Sequence, residues 1–184
     1  MLLAVIMITP VFAADEGSME LDVKVGFNFM SNASADYFGP GKIDEGVDPA
    51  FTATLDFFYY VMPELAVGAG AEYIFNSEVS KGMKIGWTNI YAQAKYIFDL
   101  NDDLFNNIYP LLQIGYGMLN LDADNLDVDS NELYWGLGVG TTIKENFVVE
   151  LLYSNAGASL KYGPITPGFK YSTLQLKVGY KFNF

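Results

Sequence analysis

The chain has 184 residues, 51% of them hydrophobic and only 17% charged, with 22 acidic side chains against 10 basic ones and a net charge of −12. That length fits one domain, and the acidity argues against a nucleic-acid partner, because phosphate binding needs a basic footprint. No run of 18 apolar residues occurs, which excludes a helical membrane span, and with neither cysteine nor histidine there is no disulfide framework, thiolate nucleophile or imidazole base.

The first element is the apolar run Leu2 to Ala14. It is too short to span a membrane but suits the hydrophobic region of a secretory signal, with Val11 and Ala13 at the −3 and −1 positions and cleavage expected after Ala13. Residues 1–13 therefore read as the remnant of a signal peptide and 14–184 as the mature domain; a buried N-terminal strand or helix is the competing reading.

From Met19 onward the pattern alternates with a period of two, the signature of strands with chemically different faces. The first strand sets Leu21, Val23, Val25, Phe27 and Phe29 against Asp22, Lys24, Gly26 and Asn28. The second, from Phe51 to Val61, sets Phe51, Ala53, Leu55, Phe57, Tyr59 and Val61 against Thr52, Thr54, Asp56, Phe58 and Tyr60. After the breaker Met62-Pro63-Glu64 comes a third, with Val67, Ala69, Ala71, Tyr73 and Phe75 opposing Gly68, Gly70 and Glu72.

The fourth (Thr88 to Phe98) turns Ile90, Ala92, Ala94 and Tyr96 away from Asn89, Tyr91, Gln93 and Lys95. A polar turn, Asp99 to Asn107, leads to the fifth, where Leu112, Ile114, Tyr116 and Met118 oppose Gln113, Gly115 and Gly117; Pro110 is expected near its end, since proline cannot donate to a ladder. The sixth places Leu133, Trp135, Leu137 and Val139 opposite Tyr134, Gly136, Gly138 and Gly140. The seventh, after Lys144-Glu145-Asn146, pairs Phe147, Val149, Leu151 and Tyr153 against Val148, Glu150 and Ser154. The eighth pairs Leu174, Leu176, Val178, Tyr180 and Phe182 against Thr173, Gln175, Lys177, Gly179 and Lys181.

Segments of about ten residues match the length that a tilted strand needs to cross a bilayer. Long connections are expected at 32–50, 77–87, 120–131 and 155–170, and short ones after the second and sixth strands, which is the layout of a transmembrane barrel. A soluble barrel would alternate too, but with its apolar face inward and a densely charged face outward. Here the polar face is rich in glycine and sparse in charge, as a crowded lumen requires, and the apolar face ends in aromatics such as Phe29, Tyr59, Tyr73, Tyr96 and Tyr153. The predicted fold class is therefore all-β: an antiparallel up-and-down transmembrane β-barrel of eight strands.

The last strand, Lys177-Val178-Gly179-Tyr180-Lys181-Phe182-Asn183-Phe184, resembles the assembly signal of outer-membrane proteins, with alternating aromatics ending in phenylalanine. The mature region is similar in pattern to the small outer-membrane barrels that include the OmpA membrane domain and OmpX-type proteins. That resemblance implies a location in the cell outer membrane. It implies as partners the lipid and lipopolysaccharide around the barrel and the barrel assembly machinery that inserts it. No peptidoglycan-binding domain follows Phe184 in the sequence, so an anchoring role like that of full-length OmpA is not expected.

Candidate chemistry lies on the polar face. Asp22, Lys24, Asp56, Glu72, Lys95, Glu150, Lys177 and Lys181 are expected to point into the lumen. There they act either as a structural ion-pair network or as a polar gate; buried charges must pair first, so the structural role is the stronger expectation. Folding the last hairpin about its centre predicts a pair between Glu150 and Lys177. The acidic stretch Asp122 to Glu132 reads as a solvated loop, with weak Ca²⁺ binding as the alternative, since it lacks the glycine and spacing of a calcium loop.

No catalytic, cofactor-binding or metal-ligating residue is assigned and no cofactor is expected. The outer-membrane barrel enzymes rely on a histidine that this chain does not have. Two functions remain: a non-catalytic barrel displaying surface loops for adhesion, surface protection or envelope integrity, and a narrow pore or transport path for small or hydrophobic molecules.

Overall fold

The computed structural model describes residues 15–36, 42–80, 83–100, 102, 104–121, 128–129, 132–160 and 168–184. Residues 1–13, read as a signal peptide, lie outside the described residues. Eight long strands carry the wall: β1 (Met19–Asp36), β2 (Ala50–Met62), β3 (Leu65–Ser80), β4 (Met83–Tyr96), β5 (Phe105–Leu121), β6 (Glu132–Ile143), β7 (Phe147–Leu160) and β8 (Gly168–Asn183). Each pairs antiparallel with its neighbours in sequence, and β8 pairs with both β7 and β1, so the sheet closes into a ring. Closure satisfies every edge, which a strand lying in lipid requires because no water is there to bond a free N–H. Met19 and Phe184 exchange N–H···O bonds of 3.2 and 2.9 Å where the ring meets itself.

Alternation sets the two faces as expected. In β2 burial alternates residue by residue, with Thr52, Thr54, Asp56, Phe58 and Tyr60 inward and Phe51, Leu55, Phe57 and Tyr59 outward. Val25 (60%), Ile114 (54%) and Leu137 (54%) are more than half exposed in an unbroken apolar belt. Water would not tolerate so large a patch, whereas the hydrocarbon of a bilayer is its natural solvent.

Three details depart from the sequence expectation. First, the described residues of the stretches read as long loops are largely strand. In β1, Ser31–Asp36 pairs with the short piece Lys42–Val47 on one side and with 169–173 of β8 on the other. β3 and β4 run out to Ser80 and Met83, and β7 reaches Leu160. These extensions (Ser31-Asn32-Ala33-Ser34-Ala35) are held by main-chain ladders and carry no apolar alternation for a sequence reading to detect. A bulge between Asn28 and Met30 puts Phe29 and Met30 both outside and keeps Ser31 in phase with the lumen.

Second, the turn expected over Asp99–Asn107 is tighter. The piece Phe98–Asp99 pairs with Asn107 and Ile108, and Leu100 N–H bonds the Asn106 carbonyl at 3.0 Å. Asp102 closes the turn by accepting the N–H groups of Leu104 and Phe105, both at 2.9 Å, and those donors, Phe105 first, hold its carboxyl below the usual aspartate range.

Third, Pro110 sits well inside β5, opposite Val139 of β6, rather than near the strand end. The ladder to β4 breaks there: it stops at Lys95–Leu111 and resumes at Phe98–Ile108. Proline's missing donor thus falls where β4 turns away, and Ile97 N–H bonds the Glu64 carbonyl instead, at 2.7 Å.

Candidate functional site in the barrel lumen

The inward face of the wall is the one enclosed region of the described fold, and it is filled with side chains in layers. From the short-turn end, the first layer centres on Glu20. Its carboxylate pairs with Lys95, accepts the Tyr60 hydroxyl at 2.5 Å and lies 3.8 Å from Lys181. The Lys95 ammonium also lies over the Phe58 ring, 3.9 Å from its centroid. Around them Phe58, Tyr60, Ala66, Ile97, Tyr109, Leu111, Val148 and Leu152 form an apolar cluster that plugs this end.

Lys24 is the hub of the second layer. Its Nζ bonds both oxygens of Glu150 at 2.8 Å, lies 2.6 Å from Asp56 Oδ2 and is 3.7 Å from Asp22. Tyr109 donates to Glu150 and Tyr91 to Asp56, both at 2.9 Å. In the third layer Lys177 pairs with Glu72, whose carboxylate also accepts Gln175 Nε2 (3.1 Å) and Asn89 Nδ2 (3.3 Å). Opposite, Tyr134 donates to Gln113 at 2.7 Å and Gln113 donates to Gln93 at 3.1 Å. At the long-loop end the Trp87 and Tyr171 rings stack across the lumen, from β4 to β8, with centroids 5.7 Å apart and planes 21° from parallel.

All eight ionisable residues expected in the lumen face it, and every one except Lys181 is nearly or fully buried. The pairing expected between Glu150 and Lys177 is not made. The two stand directly opposite in the β7–β8 ladder, yet Glu150 reaches Lys24 and Tyr109, and Lys177 reaches Glu72.

The reason lies in the glycines. Gly179 stands opposite Lys24, and Gly26 stands opposite Lys177. A Cβ on Gly179 would collide with Lys24 Cγ, and one on Gly26 would crowd Lys177 Cγ. Each lysine stem therefore lies over a glycine, which aims its ammonium toward carboxylates on other strands. Gly70 makes the same kind of room for the Tyr91 ring, and Gly140 for Tyr109.

Sequence reasoning missed Glu20, which is in phase with Asp22 and Lys24 but precedes the first apolar residue used to start the strand. It also missed the lumen roles of Trp87, Tyr109 and Tyr171, which stood at or beyond the expected strand limits. The acidic stretch 122–132 lies outside the described residues at 122–127 and 130–131.

The arrangement provides packed rings and bonded charges. Comparison with known proteins accords with the fold. The chain is similar to the outer membrane protein OprG from Pseudomonas aeruginosa (14% identity over 92% of this chain and 97% of that one, TM-score 0.62). It is likewise similar to Neisserial surface protein A (14% identity, 92% and 100%, TM-score 0.56) and to the outer membrane protein AlkL (13% identity, 96% and 95%, TM-score 0.57). Among curated proteins none matches this chain in sequence. Residues 1–182 match the outer membrane protein beta-barrel domain, and the chain belongs to that family of the bacterial outer membrane.

Proposed function

We propose that this protein is a non-catalytic outer-membrane barrel that holds its long-loop end at the cell surface for adhesion, protection or envelope integrity. The observation that carries this reading is the filled lumen. The Trp87–Tyr171 stack bars the loop end, the cluster from Phe58 to Leu152 bars the turn end, and the charges between them are committed to one another. An eight-stranded barrel leaves an interior that side chains can fill, so the wall serves as a rigid base for what stands on it. The strands continue as paired arms at the long-loop end, which would lift the connecting residues clear of the bilayer. Lipid and lipopolysaccharide are the proposed surroundings, and the alternating aromatics up to Phe184 would be read by the barrel assembly machinery.

The decisive experiment pairs two measurements on the refolded or native chain. Single-channel recording in planar bilayers is expected to show no unitary conductance, and a steady ion current would replace this reading with that of a pore. Labelling of intact cells is expected to reach tags placed within 37–41 or 161–167 and to miss Glu64 and Lys144; the reverse pattern would show that the long-loop end faces inward.

A further inference from the structure

Among the described residues, five tyrosines and one tryptophan are buried in the lumen: Tyr60, Trp87, Tyr91, Tyr109, Tyr134 and Tyr171. Indole and phenol rings give up a single electron more readily than other side chains of a protein without cysteine, and no methionine is buried beside them among the described residues. Their hydroxyls fall into two groups. Tyr91 donates to Asp56 and Tyr109 to Glu150, both at 2.9 Å, and Tyr60 donates to Glu20 at 2.5 Å. Tyr171, at the long-loop end, donates to Ser31 Oγ at 3.1 Å, and Tyr134, level with Tyr91 across Gly115, donates to Gln113 Oε1 at 2.7 Å. A carboxylate can take up a phenolic proton, whereas a hydroxyl or an amide oxygen holds none at ordinary pH.

The rings follow one another from end to end. Trp87 stacks on Tyr171 with centroids 5.7 Å apart, and Tyr91 stacks on Tyr134 at 5.3 Å. A Cβ on Gly117 would stand 3.5 Å from the Trp87 ring, and one on Gly115 would meet Tyr91 Cβ. These two glycines are successive inward positions of β5, about 7 Å apart along the strand. Tyr91 and Tyr109 are joined through bonded atoms, since Lys24 Nζ lies 2.6 Å from Asp56 Oδ2 and 2.8 Å from Glu150. Lys95 Nζ, 5.0 Å from the Tyr109 centroid, pairs with Glu20, the acceptor of Tyr60.

We infer that this file of rings carries single electrons across the membrane, from an outer-sphere one-electron donor at the turn end to a strong one-electron oxidant at the long-loop end. The oxidant, an oxygen-centred radical or a high-valent metal complex, gains one electron and leaves the Trp87–Tyr171 stack one short. Tyr91 refills that stack. As its electron leaves, its O–H bond breaks and the proton passes to Asp56, so a neutral phenoxyl radical and a carboxylic acid remain. Tyr109 with Glu150 and Tyr60 with Glu20 repeat the step, and each returning electron takes its proton back from the carboxyl group. The donor loses one electron, and no proton is consumed. The direction follows from the hydroxyl partners: the rings without a base stand at the long-loop end and at mid-lumen, whereas the last two stations toward the turn end, Tyr109 and Tyr60, both have one. Burial keeps water and dioxygen from the radicals on the way.

The test uses the full chain folded into lipid vesicles that enclose ferrocyanide, with hexachloroiridate(IV) outside and valinomycin in potassium buffer to balance the charge moved. Ferricyanide trapped inside, read after the outer solution is removed, is expected to form several-fold faster than in protein-free vesicles. Tyr91→Phe with Tyr109→Phe keeps both rings, removes both phenols and is expected to abolish most of that excess. A wild-type rate no faster than that of empty vesicles, or an unchanged rate in the folded double variant, would overturn the inference.

A second measurement does not depend on the variant folding. Wild type freeze-quenched after the same oxidant is expected to give, in high-field EPR, a neutral tyrosyl radical with the lowered gx of a hydrogen-bonded phenoxyl. Outward tyrosines such as Tyr116, 65% exposed on the lipid face, would give an unshifted one. A radical on tryptophan alone, or an unshifted tyrosyl, would overturn the inference as well. Neither result bears on the absence of ion current that tests the display reading.

Discussion

The outward and inward faces of the same strands follow different rules. Val23 and Val25 on β1 are about half exposed, and each meets lipid that will accept any apolar side chain. Asp22 and Lys24, interleaved with them, are fully buried, and Lys24 contacts three carboxylates that come from three different strands. The outside is specified by a class of residue and the inside by individual ones. A barrel of this size therefore keeps its identity in its lumen, and substitutions on the two faces of one strand should differ sharply in effect.

The largest difference is expected at neighbouring positions of β1. Lys24→Met leaves Asp22, Asp56 and Glu150 without their shared cation, and removing one partner of a buried charge network costs about 3–5 kcal/mol. Val25→Met, one residue on, should leave the urea unfolding midpoint within about 0.5 kcal/mol of wild type. Equal losses at the two positions would erase the distinction between the faces.

A double-mutant cycle sharpens the lumen side. Glu72→Gln and Lys177→Met should each destabilise the fold, and the double variant should recover much of the loss, because the two residues pair. Glu150→Gln with Lys177→Met should show far less coupling, although these residues are direct ladder neighbours. Strong coupling in the second cycle and none in the first would show that ladder position decides pairing after all.

A smaller effect is expected at a glycine. Gly140→Ala pushes the new methyl into the Tyr109 ring, whose hydroxyl bonds Glu150, and overpacking of this kind costs about 1–3 kcal/mol. Val139→Ala on the outer face should cost less, and heat-dependent gel mobility with urea titration would compare them. The smallest effect lies outside both faces, in the turn between β6 and β7. Lys144 and Glu145 hold φ of 47° and 69°, a left-handed backbone that side chains disfavour. The neighbouring turn supports them, with Lys144 N–H bonding the Leu104 carbonyl at 3.1 Å and Glu145 N–H bonding Asn106 Oδ1 at 2.7 Å. Glu145→Gly keeps that bond and should stabilise the fold by about 0.5–1 kcal/mol; a loss would mean that the side chain matters more than the backbone.

What the sequence determined by itself was the wall. Alternation of period two fixed the strand number, the face of almost every residue in the membrane and which charges other than Glu20 enter the lumen, because burial on one face of a strand leaves no other phase open. It stopped short at the ends: Ser31–Asp36 and Gly157–Leu160 are strand without an apolar stripe, and main-chain ladders leave no trace in side-chain chemistry. The tertiary structure alone decided who pairs with whom inside. Glu150 and Lys177 are adjacent by register, yet closing the ring brings Lys24 and Glu72 just as near, from strands remote in sequence. Gly26 and Gly179 then bend the lysine stems toward these partners, and only the closed cross-section, where every strand faces every other, makes that choice.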